Sequence, residues 1–376
     1  MENIDLQPFD AVVLMSFGGP EKPEDVLPFL QNVTRGRGIP DERLEEVGEH
    51  YYLFGGKSPI NEQNQALLQA LKSEFSSRGI LTPLLWGNRN WNPYLTDVIR
   101  EHASNTGARN FLAIDTSAYS SYSSCRQYRE DFAETVDTLD SEGLKITFEK
   151  IRQYYNHPGF AEAELKCVRD GLAGFKEIVG ELDPARHKIL FVTHSIPSTM
   201  QATSERFTTG YQAQHEELIK WIGQELDGGE KLDAELVFCS RSGSPHTPWL
   251  EPDINDRMRE LSDEGIDGVL VVPIGFVSDH MEVKFDLDTE AAQTAQELGM
   301  SFLRADSVGT SAPFIRGLVD LVVERVAQVR GEQVDPAVIN GGMALSPGSG
   351  ACSLTCCEGA KWKNTVPNWS RSVPQG

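Results

Sequence analysis

Two stretches decide what this chain can fold into. Ile189-Leu190-Phe191-Val192-Thr193-His194-Ser195-Ile196-Pro197 and Val269-Leu270-Val271-Val272-Pro273-Ile274-Gly275-Phe276-Val277-Ser278-Asp279-His280-Met281-Glu282 each set an unbroken apolar run ahead of polar residues. A run without alternation reads as a central parallel strand covered on both faces. In open α/β sheets ligands bind at the carboxyl ends of such strands. The second run leads directly into a helical stretch with Glu282, Asp286 and Glu290 at four-residue intervals. On an ideal α-helix each such step overshoots a full turn by about 40°, so three carboxylates fan over about 80°. A wider π-type turn lines them up better, and such turns occur mostly at functional sites. On a surface helix this spacing usually marks a solvated acidic face. Here Glu282 falls in the first turn, which points at the crevice, and like charges at i, i+4 repel unless a cation sits between them.

The remaining chain alternates strand and helix, the pattern of parallel doubly wound architecture. Asp10–Phe17 reads as a first buried strand ended by Gly18-Gly19-Pro20, with a helix from Pro23. Arg35 and Arg37, set among glycines, make a cationic loop suited to carboxylates, although on the residues alone a solvated surface loop is the readier reading. Gly55-Gly56-Lys57-Ser58-Pro59 is not a P-loop, because Tyr51 stands where the leading glycine belongs. Ser58 reads instead as a helix N-cap with Pro59 at the first helical position. Strands are expected at 83–86, 111–114 and 144–148, with a helix at 93–102 between the first two. The second half predicts helices at 160–179, 212–226, 254–262 and 312–329, and strands at 189–193, 234–239 and 301–304. No G-x-G-x-x-G follows a strand, so a dinucleotide site has no support. The division expected is 1–150 and 151–330 as two α/β domains with a cleft between them, and 331–376 as a cysteine-containing tail.

Thr193–Pro197 together with Pro273–Asp286 resembles the signature of ferrochelatases, which insert ferrous iron into a porphyrin, and further matches extend from about residue 10 to about residue 330. The resemblance implies two Rossmann-like doubly wound domains of the class II chelatase kind. It implies that His194 and Glu282 face each other across the porphyrin cleft, bind iron and remove protons, with Asp286 and Glu290 as an acidic path behind them. It further implies porphyrin contacts from Arg35, Arg37, Ser58, Tyr155 and Phe17. Two positions depart from the family: Ala118 stands where many members carry histidine, and Phe17 where several relatives carry an iron-ligating tyrosine. The chemistry suits the residue types. A neutral imidazole can accept a pyrrole proton or ligate iron, and carboxylates suit hard, partly hydrated cations.

Past residue 330 the composition turns to Pro, Gly and small polar residues and ends in Cys352, Cys356 and Cys357. Alone, these are three thiols that bind metal or stay free. Animal and actinobacterial ferrochelatases resemble this arrangement. They hold a [2Fe-2S] cluster through one cysteine of the second domain and three near the C-terminus, and such clusters need four ligands. Carried over, the set is Cys167, Cys352, Cys356 and Cys357, with structural zinc or free thiols as the alternatives. Cys125 and Cys239 read as buried thiols.

The net charge of −22 argues against nucleic acid and against anionic membranes, both of which are bound through clustered Lys and Arg. No apolar run reaches ~18 residues, and the acidic N-terminus lacks a signal-peptide pattern, so no stable membrane insertion and a cytoplasmic location are expected. The expected activity is insertion of Fe2+, as substrate, into coproporphyrin III by a monomer or weak dimer. Alternatives are protoporphyrin IX as substrate, a cobalt or nickel chelatase, and a non-catalytic haem-binding or iron-sulfur sensor.

Overall fold

The structure is a computed structural model that describes residues 3–36, 38–206, 208–226, 233–242, 246–339 and 356–357. Among the described residues, eight strands form two four-stranded parallel sheets. The first contains β1 (Ala11–Ser16), β2 (Leu84–Asn88), β3 (Asn110–Asp115) and β4 (Thr147–Lys150) in the order β2-β1-β3-β4. The second contains β5 (His187–His194), β6 (Asp233–Cys239), β7 (Gly268–Val272) and β8 (Ser301–Arg304) in the order β6-β5-β7-β8. The two halves therefore share one topology, with a switch point beside the first strand of each.

The apolar runs behave as their composition demands. All six residues of β1 and all five of β7 are buried. Alternate residues of β1 serve opposite faces: Val12 and Leu14 pack with Leu67, Leu71 and Phe75, while Val13 and Met15 pack with Leu95, Ile99 and Phe132. The cluster containing Val12 also takes in Phe191 of β5, Leu270 of β7 and the helices Pro158–Val179 and Ala312–Val329. One continuous apolar mass thus joins the two halves.

The carboxyl edges of the two sheets face each other. Tyr119, which follows β3, donates its hydroxyl to the Ile274 carbonyl beyond β7 at 2.9 Å, and the Asp279 amide donates to Gln63 Oε1 at 2.7 Å. His50 stacks on Phe285 with centroids 3.7 Å apart at 11°. The edge of the first sheet is closed by neutral groups: the Ser16 hydroxyl donates to Asn88 Oδ1 and accepts from Asn64 Nδ2 at 2.8 Å, and Asn88 Nδ2 donates to Asn61 Oδ1 at 3.3 Å. Asp115 there lies 3.3 Å from Lys150 Nζ, both buried.

Some boundaries differ from the sequence reading. The strand expected at 144–148 runs Thr147–Lys150, because pairing with β3 begins where Asn110 meets Thr147. Helix Asp41–Tyr52 carries no periodic signal strong enough to announce it, whereas Gln127–Ser141, with Tyr128, Phe132, Val136 and Leu139 buried on one face, was legible and was missed. Helix Ile60–Ser77 has Pro59, not Ser58, at its cap position and no side-chain cap bond, one residue later than expected; Ser58 Oγ accepts from the Ile60 amide at 3.4 Å ahead of it. Among the described residues no helix is long and apolar enough to cross a membrane.

Gly275 is where β7 hands over to the site. A Cβ built there meets Thr193 Oγ1 at 2.0 Å and Thr193 Cα at 2.8 Å. Only glycine lets the loop after β7 lie this close to the end of β5. Gly275→Ala is therefore expected to cost about 1–3 kcal/mol or more, measured as a lowered urea midpoint at unchanged slope; an unchanged midpoint would show that the two strand ends separate freely.

Candidate active site

The site assembles where β5 and β7 end. Thr193 Oγ1 and the Tyr211 hydroxyl are hydrogen-bonded at 2.6 Å, and Tyr211 donates to the His194 carbonyl at 3.1 Å. These bonds pin the peptide that carries His194. His194 Nδ1 is bonded to the Ser195 carbonyl. A carbonyl only accepts, so Nδ1 carries the proton and the lone pair of the neutral ring resides on Nε2. That Nε2 lies 3.5 Å from Glu282 Oε1, and His280 Nδ1 lies 3.1 Å from Glu282 Oε2. Glu282 keeps 47% of its side chain exposed and His194 33%. The pair is both enclosed by protein and open to the gap.

This contact corrects one expectation. His194 and Glu282 do not face each other across a macrocycle: sandwiching a flat ring takes about 7 Å, two van der Waals contacts of about 3.5 Å, and the two groups are 3.5 Å apart. They stand side by side on one wall.

Beyond Glu282 the backbone widens into a π-helix over Val283–Ala291, the turn type that brings Glu282, Asp286 and Glu290 nearer one line. Asp286 accepts from the Ser240 hydroxyl at the end of β6, where Ser240 holds the left-handed conformation at φ 62°. The four groups have separated acidities. Burial works to raise the Glu282 carboxyl, but the adjacent His280 and His194 imidazoles bring it down to about 2. Burial pushes Asp286 up to about 7, with Glu282 and Glu290 adding to the rise against the Ser240 bond. Glu290 is also raised, by burial and then by Asp253. Burial opposes charge on His194, yet the bonded Glu282 outweighs it and holds the imidazole above its usual value.

The other expected residues make local contacts of their own. Arg35 is exposed and donates to Asn32 Oδ1 at 2.6 Å, and Arg37 lies outside the described residues. Phe17 meets Phe29 edge-on at 6.2 Å. Ser58 is 3% exposed, packed close against Gly19 with its hydroxyl toward the Ile60 amide. Tyr155 is 1% exposed, its ring on Tyr119 and its hydroxyl donated to Glu217 at 2.8 Å. A cavity of about 460 Å³ on the first half is lined by Trp86, Trp91, Glu21 and Asp25, and by none of the His194–Glu282 group.

Cys167, Cys356 and Cys357 are all buried, as are Cys125 and Cys239, and Cys352 lies outside the described residues. Arg129 Nη1 donates to Cys356 Sγ at 2.8 Å, and Cys357 takes φ 54°. A guanidinium against sulfur favours thiolate, and the left-handed residue redirects the second of two adjacent thiols. These features fit a thiolate-ligated group. Among the described residues no three His, Cys, Asp or Glu side chains converge as metal ligands.

Residues 9–326 match the sequence profile of Ferrochelatase. The chain belongs to the ferrochelatase family. It is 48% identical over 362 residues to the coproporphyrin III ferrochelatase of Streptomyces coelicolor, covering 94% of each chain. It is 48% identical to that of Leifsonia xyli, covering 94% of this chain and 92% of the relative. The ferrochelatase of Rhodopirellula baltica is 42% identical, covering 94% of each. Among solved structures, SirB from Bacillus subtilis with Fe3+ superposes with a TM-score of 0.51 at 14% identity, covering 87% of this chain and 99% of SirB. At that identity the likeness shows the fold alone: the two-sheet chelatase architecture that the family resemblance implied, with the parallel sheets anticipated from the strand runs.

His280, Tyr211 and Ser240 escaped the sequence reading. His280 lay within the matched motif two residues before Glu282, whereas Tyr211 and Ser240 reach the site through contacts that spacing does not encode.

Asp286 yields a stability test. Its folded acidity is displaced from 3.8 to about 7, so between those values the folded state binds a proton that the unfolded state has released, and stability falls as pH rises. Asp286→Asn removes that penalty. We expect the variant to be more stable than wild type by about 1–2 kcal/mol at pH 8, after discounting for solvent screening, and the gain to vanish near pH 4; urea unfolding at both pH values measures it.

Proposed function

We propose that this chain inserts ferrous iron into coproporphyrin III, giving iron coproporphyrin and two protons. The observation that carries the reading is the contact of His194 Nε2 with Glu282, one basic lone pair and one carboxylate side by side at the carboxyl edge of the second sheet. The choice of porphyrin follows the names of the 48%-identical relatives.

His194 Nε2, with its proton affinity raised by Glu282, accepts a pyrrole proton. Glu282, at about 2, stays ionised throughout and holds the incoming cation, joined by the His194 Nε2 lone pair only until that nitrogen takes the proton. Asp286, at about 7, takes and releases protons at neutral pH and passes them to Glu290 along the π-helix. Each insertion then balances: Fe2+ enters and two protons leave by the acidic path. Arg35 and Arg37 meet the propionates bidentately. Phe17 meets the ring edge, and Ser58 and Tyr155, both enclosed, support the walls that the ring touches. The site lies between residues 1–150 and 151–330, and the location proposed is the cytoplasm.

We further propose that Cys167, Cys352, Cys356 and Cys357 bind a [2Fe-2S] cluster, supported by the Arg129 contact to Cys356. When bound, the cluster supplies an electron-accepting iron centre that also crosslinks the C-terminal segment. Structural zinc is the competing occupant of the same thiols.

Anaerobic incubation with Fe2+ and either porphyrin, followed by visible absorption, tests the activity. Coproporphyrin III is expected to metallate at least about tenfold faster than protoporphyrin IX, and His194→Ala or Glu282→Gln to lower the rate by about 10²-fold or more. Faster turnover of protoporphyrin would reassign the substrate, insertion of Co2+ or Ni2+ in preference to iron would reassign the metal, and porphyrin binding without metallation would indicate a carrier. For the cluster, Cys167→Ser is expected to abolish the charge-transfer bands and the acid-labile sulfide of the purified protein; an unchanged spectrum removes Cys167 from the set.

A further inference from the structure

Five acidic residues crowd the twelve positions from Asp279 to Glu290, and they are treated in two ways. Glu282, Asp286 and Glu290 receive no Lys or Arg in any ion pair among the described residues. Asp279 and Asp288 share one guanidinium. Arg304, the last residue of β8, donates from Nε to Asp288 Oδ1 at 2.6 Å and from Nη2 to Asp288 Oδ2 at 3.0 Å. The same group reaches Asp279 Oδ1 from Nη1 at 3.3 Å and Asp279 Oδ2 from Nη2 at 3.2 Å. It is anchored in turn by the Ala305 carbonyl at 3.2 Å. Lys284 Nζ adds a 2.8 Å bond to Asp288, and the Ser307 hydroxyl donates to Asp279 at 3.1 Å. The clamp is largely enclosed: Arg304 is 11% exposed, Asp279 15% and Asp288 25%.

The two clamped residues bracket Glu282 and Asp286, and the second lies two residues before Glu290. Asp279 lies three residues before Glu282, and Asp288 lies two after Asp286. Between them the backbone passes from loop to π-helix, a rare turn that persists where its surroundings hold it. A planar, bidentate guanidinium fixes direction as well as distance, so one side chain sets both the entry point of the helix and its rotation about its axis. That rotation decides whether Glu282, Asp286 and Glu290 line the gap.

We propose that Arg304 is a positioning residue for iron delivery, holding the π-helix in the rotation that presents the Glu282–Asp286–Glu290 row to the incoming cation while neutralising the two acids that would otherwise compete for it. The proposal rests on the assignment of Glu282 to iron handling and adds to it a residue that touches neither substrate.

The test uses the full-length protein and anaerobic steady-state assays in which Fe2+ and coproporphyrin III are varied separately. Arg304→Gln is expected to raise KM for Fe2+ by about tenfold or more while KM for porphyrin stays within about twofold, and Arg304→Lys is expected to recover part of the loss. A purely structural role predicts lower thermal stability with KM for iron unchanged in the folded fraction; that result, or an equal rise in both KM values, overturns the proposal. Should Arg304→Gln fail to fold, Asp288→Asn carries the same test, since it keeps the Asp279 pair: a rise in KM for iron alone supports the clamp and an unchanged value overturns it. Glu282→Gln is the reference. If it inserts iron normally, the assignment of Glu282 itself fails, a result separable from normal kinetics in Arg304→Gln alone.

Discussion

The carboxylate of Glu282 lies between two imidazoles, and most of what is unusual in this molecule follows from that contact. A carboxylate so flanked remains ionised far below neutrality, and in exchange it makes His194 a better base. Because His194 spends Nδ1 on a backbone carbonyl, its reactive nitrogen has one direction to face. Two groups of opposite proton affinity are thereby fixed within 3.5 Å before any substrate arrives. The repulsion that Glu282 exerts on Asp286 contributes to lifting the latter toward neutrality, so the same charge that attracts a cation also creates the next proton acceptor along the helix.

The scaffold makes that contact nearly unavoidable. β5 and β7 are hydrogen-bonded neighbours in parallel, so their carboxyl ends emerge together, and the approach of Gly275 to Thr193 draws the following loop over the end of β5. Tyr211 then secures the same strand end from below. The fold delivers the chemical groups through backbone pairing and one missing side chain, and the strongly bonded surroundings resist their displacement.

What the amino-acid order disclosed follows from the range of the interactions involved. Buried parallel strands announce themselves because continuous apolar runs have few other uses, and β1, β5 and β7 were legible for that reason. Helix Asp41–Tyr52 was not: it buries only Leu44 and Gly48, too little for a period to emerge. His194, Glu282, Asp286 and Glu290 could be named from motif and spacing, whereas the direct His194–Glu282 contact could not, because distance across two strand ends is a property of the sheet. The four-residue spacing allowed either α or π geometry; the π form appears in three dimensions, where Asp279 and Asp288 are held from Arg304. Ser240 lies 46 residues from Asp286, a separation at which local pattern carries no information.

The two halves share a strand order but not an electrical character. The first edge is knitted from serine and asparagine, with Asp115 held against Lys150, while the second bears Glu282, Asp286 and Glu290, whose neighbours among the described residues are imidazoles and a serine hydroxyl rather than a Lys or Arg ion pair. Of the two edges, the second therefore carries the charge that favours a divalent cation.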